Sequence, residues 1–344
     1  MSVIEVRSPG LLTTVQDLGR EGYGPLGVSR SGAADPIALR LGNRLLGNAE
    51  GAAALEMTLV GATLLFPEGA VVVLAGADFR AELDGAAVPL WTSIEIRSGQ
   101  TLRAGATCSG ARCYLCVSGG IAVKPLFDSS STHLLSGLGG HEGRALRKGD
   151  VLKIGAAGAS FRRRTVTPSA LRRFAPRKVL RATPGPQCER FPDAARKIFY
   201  GSAYRVAEES NRMGLRLEGT PLPVNGQSEM TTEGVSLGAV QITPAGLPII
   251  LFVEQQTTGG YAKIANVISA DLSSLGQLRP RDEIRFKAVD WRVALIPAAF
   301  LHEFPIAISL ACSAWDCRKK RGEFYNPPCD QHHAGSLDLY FWRP

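Results

Sequence analysis

Residues 247–261 read LPIILFVEQQTTGGY. An apolar run suited to a buried strand ends at Glu254 and is followed by Gln255, Gln256, Thr257, Thr258, Gly259, Gly260 and Tyr261. A strand anchored on both faces holds the residues just past its end in place, so this segment is expected to line a pocket. Neutral amides and hydroxyls suit a small amide or lactam. Such a ligand presents one donor face and one acceptor face, and Gln or Asn can answer both. Gly259 and Gly260 would let the backbone approach a ligand closely or adopt positive φ.

Two further polar, glycine-rich clusters accompany it. ESNRMGLRLEG and EMTTEGV supply Asn211, Arg212, Glu229 and Glu233; TTVQDLGREGYGPLGVSRSGAAD supplies Gln16, Asp17, Arg20, Ser29, Arg30, Ser31 and Asp35. Arg212 is able to hold a carboxylate or phosphate bidentately while Glu229 or Glu233 moves a proton. The competing reading pairs Arg212 with one of those carboxylates and leaves the amides as strand-end caps. For the three clusters together a site is the favoured reading, because buried polar groups on this scale usually line one.

Several standard signals are absent from the sequence: the G-x-x-x-x-G-K-[ST] phosphate loop, a strand-linked G-x-G-x-x-G, H-E-x-x-H, and a G-x-S-x-G elbow in strand–helix context. An autonomous kinase, dehydrogenase, zinc hydrolase or serine hydrolase is therefore unsupported. The net charge of +8 is carried mostly by Arg and shows no compact basic face before RKKRGEF, so nucleic-acid binding is not expected. The N-terminus lacks the apolar core of a signal peptide. The apolar stretch RVALIPAAFLHEFPIAISLACSAW is interrupted by two prolines, His302 and Glu303, which argues against a membrane span. Seven cysteines without an export signal point to reduced thiols and a cytoplasmic protein. The C-x-x-C of Cys113 and Cys116 lies along an apolar strand, where small buried side chains are the favoured reading over a redox or zinc pair.

The elements that must position these groups read as mainly β. Short runs such as AVVVLAGADF, CYLCVSGGIAV and EIRF alternate with Gly, Pro, Asn and Asp clusters. Helical periodicity is confined to ADPIALRLGNRLLGN, with Ile37, Leu41 and Leu45 on one face and Gly47 as C-cap, and to Ala265 to Gln277. An internal repeat divides the chain. LEMT from Leu55 and SEMT from Ser228 each lead through a Pro-x-Gly turn into a buried strand, and LRKGDVLKI at Leu146 echoes LRPRDEIRF at Leu278. Two copies of one barrel-like unit follow from this.

TTVQDLGR, GVSRSGAAD, SNRMGLRLEG, EMTTEGVSLGAVQ, QQTTGGY and VISADL together resemble the family variously called allophanate hydrolase subunit 2, the biotin-dependent carboxyltransferase-like family and the C subunit of 5-oxoprolinase. The resemblance runs from about Ser2 to Phe286. It implies tandem cyclophilin-like β-barrel domains with a few helices, set at 1–160 and 183–289 with a linker at 161–182 and an atypical tail at 290–344. It also implies a partner like the B subunit of 5-oxoprolinase and a third, lactam-utilisation subunit. Together they form a complex that uses ATP with Mg to open 5-oxoproline to L-glutamate.

Under that reading Gln255, Gln256 and Thr257 bind the lactam, Arg212 its carboxylate or a phosphate, and Glu229 or Glu233 transfers the proton. Two alternatives accompany it. One is a carboxyltransferase subunit moving CO2 from carboxybiotin to urea or a related amide, which would require biotin. The other is a non-catalytic antagonist of a kinase-inhibitor-like partner. The chain departs from the family at Ser130, where an Arg is usual, and after about Asp290. There Cys312, Cys317, Cys329, His332 and His333 fit no common zinc-finger spacing, so no metal is expected.

Overall fold

Alternation of apolar and polar residues builds two facing sheets in the first half. The computed structural model describes residues 2–156, 161–224, 229–292 and 308–309. One sheet of six strands runs in the order Val151–Lys153, Val3–Ser8, Thr63–Phe66, Gln100–Arg103, Glu82–Leu83, Ala86–Ala87. The other, of five, runs Leu12–Gln16, Ala54–Thr58, Ser109–Val117, Ala70–Asp78, Ile94–Ile96. Ile4, Val6, Leu64 and Phe66 from the first sheet share a core with Leu55, Met57, Leu74 and Leu115 from the second. Each such side chain, fully buried, is worth roughly 1.5–3 kcal/mol.

The helix Pro36–Leu46 covers the outer face of the five-stranded sheet, with Leu39 and Leu45 against Val73, Ala75, Tyr114 and Cys116. That sheet is buried on both faces, which explains its continuous apolar runs. Asp35 caps the helix by accepting from the Ala38 N–H at 3.1 Å. At the other end Gly47, at φ 75°, closes a Schellman turn, with Gly47 and Asn48 donating to the carbonyls of Arg44 and Asn43. The predicted face is shifted slightly, since Ala38 and Leu39 are buried while Ile37 is only half-buried. Cys113 and Cys116 are both buried on the strand Ser109–Val117, three residues apart and so on opposite faces. Burial pushes both thiols up from their ordinary range, so neither is an activated nucleophile.

The second half is a closed barrel of seven strands in the order Val179–Pro184, Lys263–Val267, Ala239–Ile242, Pro248–Leu251, Gly214–Gly219, Ala203–Val206, Glu283–Ala288. It closes where Val179–Pro184 runs parallel to Glu283–Ala288. The helix Asp193–Gly201 packs on the latter strand, stacking Phe199 on Phe286 with ring centroids 4.4 Å apart. Outside the barrel, Glu229–Gly234 pairs with Thr258–Tyr261 as a separate two-stranded ribbon. The expected mainly β fold with few helices is thus present.

The second predicted helix is not. Lys263–Val267 is a barrel strand, and only Ser269–Asp271 (3-10) and Leu272–Leu275 (α) are helical. Ile264 and Val267 are buried in the barrel core, and that packing overrides the weak helical pattern.

The internal repeat has a physical counterpart. Gly69 and Gly246 end the two Pro-x-Gly turns at φ 79° and 77°. Asp150 accepts from the Arg147 N–H at 2.7 Å, and Asp282 likewise from Arg279 at 2.9 Å. The Asp150 and Asp282 carbonyls then accept from Val6 and Val206. Among the described residues no helix is long and apolar enough to cross a membrane. Cys312, Cys317, Cys329, His332 and His333 lie outside the described residues.

Candidate functional site

The two halves meet over a buried polar network centred on Arg212, which is 4% exposed. Its Nε donates to Glu254 Oε1 at 2.5 Å, its Nη1 to Glu56 Oε1, and its Nη2 to the Gly32 carbonyl at 2.7 Å. Glu56 and Gly32 belong to the first half, Arg212 and Glu254 to the second. Burial works against the guanidinium charge, but Glu56 and Glu254 outweigh it and hold its pKa above the ordinary value. Glu56 Oε2 accepts from the Ala34 N–H at 2.8 Å and the Tyr114 hydroxyl at 2.7 Å. Tyr114 accepts in turn from the Asp35 N–H at 2.7 Å, and Gln277 Nε2 reaches Asp35 Oδ2 at 2.8 Å. Burial raises the pKa of Asp35. Arg112 donates to the Gly276 carbonyl at 2.8 Å and lies over the Phe252 ring at 5.5 Å.

Beside this network a cavity of about 300 Å³ opens between the halves. Arg20, Ser29 and Arg30 line it from one side, and Phe252, Gln255 and Thr257 from the other. Arg20 is 2% exposed and its Nη2 donates to the Ser131 carbonyl at 2.5 Å, while Nε and Nη1 have no acceptor among the described residues. Burial lowers its pKa, opposed by Asp17 and Glu254. Ser29 Oγ and Gln255 Oε1 also lack partners among the described residues. Gln255 Nε2 donates to the Val235 carbonyl at 3.1 Å. Because a carbonyl can only accept, the amide oxygen is left facing away from Val235. Arg30 pairs with Glu21 at 2.9 Å at the rim. His133 is buried nearby, and burial lowers its pKa against the pull of Glu254.

A second polar group lies where the ribbon meets the barrel. Lys263, with its side chain 3% exposed, places Nζ 2.6 Å from Glu233 Oε1. The contact is an ion pair without aligned hydrogen-bond geometry, since Nζ has no hydrogen-bond partner. Gln187 ties the pair together, donating to Glu233 at 2.9 Å and accepting from the Lys263 N–H at 3.2 Å. Lys263, and then Gln187, hold the Glu233 carboxyl below its ordinary range. A Cβ on Gly259 would sit 2.7 Å from the amide nitrogens of both Gln241 and Gln256. The space is filled by the ends of two flexible amide side chains and φ is not positive, so a small side chain there needs only those amides to shift.

The predicted residues thus fall into separate places. Arg20, Ser29, Arg30, Gln255 and Thr257 share the cavity, Glu233 pairs with Lys263, and Gly259 lies opposite Glu233 in the ribbon with Gln256 beside it. Arg212 is enclosed in the network. Asn211 is exposed, and its side chain closes a turn by accepting from Met213 and Gly214. Gln16 and Asp17 lie under the 129–132 segment: Gln16 donates to the Thr132 carbonyl, and Asp17 accepts from Ser129, the Ser130 N–H and Ser131. Thr258, Gly260 and Tyr261 form the ribbon strand, and Tyr261 offers its carbonyl to Gln241 at 3.4 Å. The side chain of Glu229 lies outside the described residues.

Sequence reasoning missed Glu56, Glu254, His133 and Lys263 as participants. Glu254 carried a signal, being a charge that ends a buried strand and so needs a partner. Glu56 carried a related signal, a charge in the middle of the buried strand ALEMT.

Residues 26–288 match the family described as carboxyltransferase domain, subdomain A and B. The chain is 37% identical over 294 residues to the C subunit of 5-oxoprolinase from Haemophilus influenzae, covering 86% of this chain and 93% of that protein. It is 39% identical over 286 residues to the C subunit of 5-oxoprolinase from Escherichia coli, covering 83% and 90% respectively. The crystal structure of the K. lactis urea amidolyase matches with a TM-score of 0.79 and 32% identity over 85% of this chain, which spans only 19% of that larger one. On this match the protein belongs to the carboxyltransferase domain family, as a relative of the 5-oxoprolinase C subunits.

Proposed function

We propose that this chain is a cytoplasmic subunit of an ATP-dependent 5-oxoprolinase that opens 5-oxoproline to L-glutamate. The observation that carries the reading is the greater similarity to 5-oxoprolinase C subunits, 37% and 39% identity over 93% and 90% of their length, against 33% to the yeast urea amidolyase.

Resonance makes the lactam resistant to hydrolysis. Phosphorylating its oxygen, with ATP and Mg as co-substrates, turns that oxygen into a leaving group. ADP leaves; water adds at the activated carbon, and the ring C–N bond breaks as the nitrogen takes a proton. A second water displaces phosphate from the resulting acyl phosphate to leave glutamate. The sequence has no complete nucleotide-binding signature, so the enzyme is completed by two partners, one resembling the B subunit of 5-oxoprolinase and one a lactam-utilisation protein. In this chain the cavity between the halves binds the lactam, with Gln255 and Thr257 in its wall. Glu233, two residues before Val235 of the cavity wall, is the proton-transfer candidate.

The test is reconstitution. The purified chain alone should turn over neither ATP nor 5-oxoproline, whereas the co-purified complex should release phosphate only when 5-oxoproline is present. Robust turnover by the single chain would overturn the shared-site reading. The match to urea amidolyase favours one other reading, carboxyl transfer from carboxybiotin to urea. Urea-dependent carboxylation with a biotinylated partner, and no response to 5-oxoproline, would establish it instead.

A further inference from the structure

Nine buried side-chain polar atoms lack a hydrogen-bond partner among the described residues, and four of them belong to three residues of the cavity between the halves: Arg20 Nε and Nη1, Ser29 Oγ and Gln255 Oε1. Buried polar groups are normally satisfied, and an unmatched buried guanidinium is among the costliest to leave so. The carboxylates that act on Arg20 at a distance are engaged elsewhere. Asp17 takes the Ser129 and Ser131 hydroxyls with the Ser130 and Gly19 N–H groups, and Glu254 takes Arg212 and the Leu134 N–H. No carboxylate of the described residues lies within ion-pair distance of Arg20. The cavity therefore combines cationic donors without an acceptor, an amide oxygen without a donor, and a hydroxyl able to serve as either.

We propose that Arg20, rather than the fully engaged Arg212, holds the carboxylate of a small lactam acid in this cavity, with Gln255 Oε1 accepting the ring N–H. The acceptors that Arg20 lacks are those a carboxylate brings, and charge-assisted bonds of this kind are the strong ones. The Val235 carbonyl fixes the Gln255 amide so that its oxygen is free for the ring nitrogen. Phe252 and Val253 supply apolar wall for the ring methylenes. The assignment rests on the 5-oxoprolinase reading and specifies which group of the substrate meets which residue.

The experiment uses the assembled complex and two ligands that differ only in the carboxylate: 5-oxoproline, which carries it, and 2-pyrrolidinone, the same lactam without it. Arg20→Gln should raise KM for 5-oxoproline about 10- to 100-fold, the range set by a lost charge-assisted bond. It should leave inhibition by 2-pyrrolidinone within about twofold. Arg20→Lys should fall between Arg20→Gln and the unaltered complex. Gln255→Leu should weaken both ligands alike, because both carry the ring N–H. Equal effects of Arg20→Gln on the two ligands, or no effect on either, overturn the assignment. Should the Arg20 variants fail to fold, a co-crystal of the unaltered complex with 5-oxoproline decides. A carboxylate oxygen on Arg20 Nε or Nη1 supports the proposal, and one seated elsewhere overturns it. An unaltered complex that does not hydrolyse 5-oxoproline sinks the functional reading itself, whereas turnover with equal penalties sinks only the role of Arg20.

Discussion

Arg20 and Arg212 are both almost wholly buried and both feel Glu254, yet their surroundings are opposite. Arg212 has an acceptor for each of its three nitrogens, two of them carboxylates from different halves of the chain. Arg20 has an acceptor for one. Burial of a charge alone therefore does not mark a binding site. What separates a structural guanidinium from a receptive one is how many of its donors the fold has already filled.

The largest effect should come from emptying the filled one. Arg212→Met strands two buried carboxylates without a cation, and breaking such a pair typically costs about 3–5 kcal/mol. Denaturant unfolding of the free chain would measure it, and a loss below about 1 kcal/mol would contradict the structural assignment.

A partly exposed ion pair calibrates the comparison. Arg144 holds Asp150 with Nη1–Oδ2 at 2.8 Å and Nη2–Oδ1 at 2.9 Å, depressing the carboxyl from 3.8 to about 2. The depression corresponds to about 2 kcal/mol of stability. Because the folded value lies below the unfolded one, that contribution is present above about pH 4 and is lost as pH falls toward 2. Asp150→Asn should cost about 2 kcal/mol at pH 7 and progressively less on acidification, as a pH series of unfolding curves would show.

Arg20→Gln should cost at most about 1 kcal/mol, because the fold loses one hydrogen bond while shedding an unmatched buried charge. A loss as large as that of Arg212→Met would place Arg20 in the framework. The smallest effect is expected from Gln256→Ala. That side chain is exposed, so melting should be unchanged to within about 0.5 kcal/mol. Turnover by the complex should fall far less than in Gln255→Leu.

Much of this was legible in the sequence where the determinants are local. The Schellman cap at Gly47, the two Pro-x-Gly turns and the Asp150 and Asp282 turns follow from short-range chemistry, and the two-sided burial of the central sheet shows in its unbroken apolar runs. The three polar clusters were also visible, since runs of amides, hydroxyls and glycines at strand ends stand out from a core pattern.

The pairing was not visible. Arg212 reads as a partner for Glu229 or Glu233, but the carboxylates it meets are Glu254 and Glu56, the latter 156 positions away in the other half. No periodicity encodes a contact that exists only after two folded units dock. Lys263 was hidden for a related reason. It sits in a strand whose apolar neighbours suggested a helix from Ala265, and its role depends on Gln187 and Glu233 arriving from other elements.

The link from Asp35 to Gln277 spans 242 positions, and with Arg212 on Glu56 it gives the network an order in time. A ribosome releases residues 2–156 before residue 212, so Glu56 emerges ahead of Arg212 with only Arg112, Tyr114 and the Ala34 N–H of its own half to meet it. Until Arg212 and Gln277 have been made, Glu56 and Asp35 lack the partners from the other half that they have in the folded chain. The contacts that Arg212 and Gln277 make with the first half therefore come after its own strands have been synthesised.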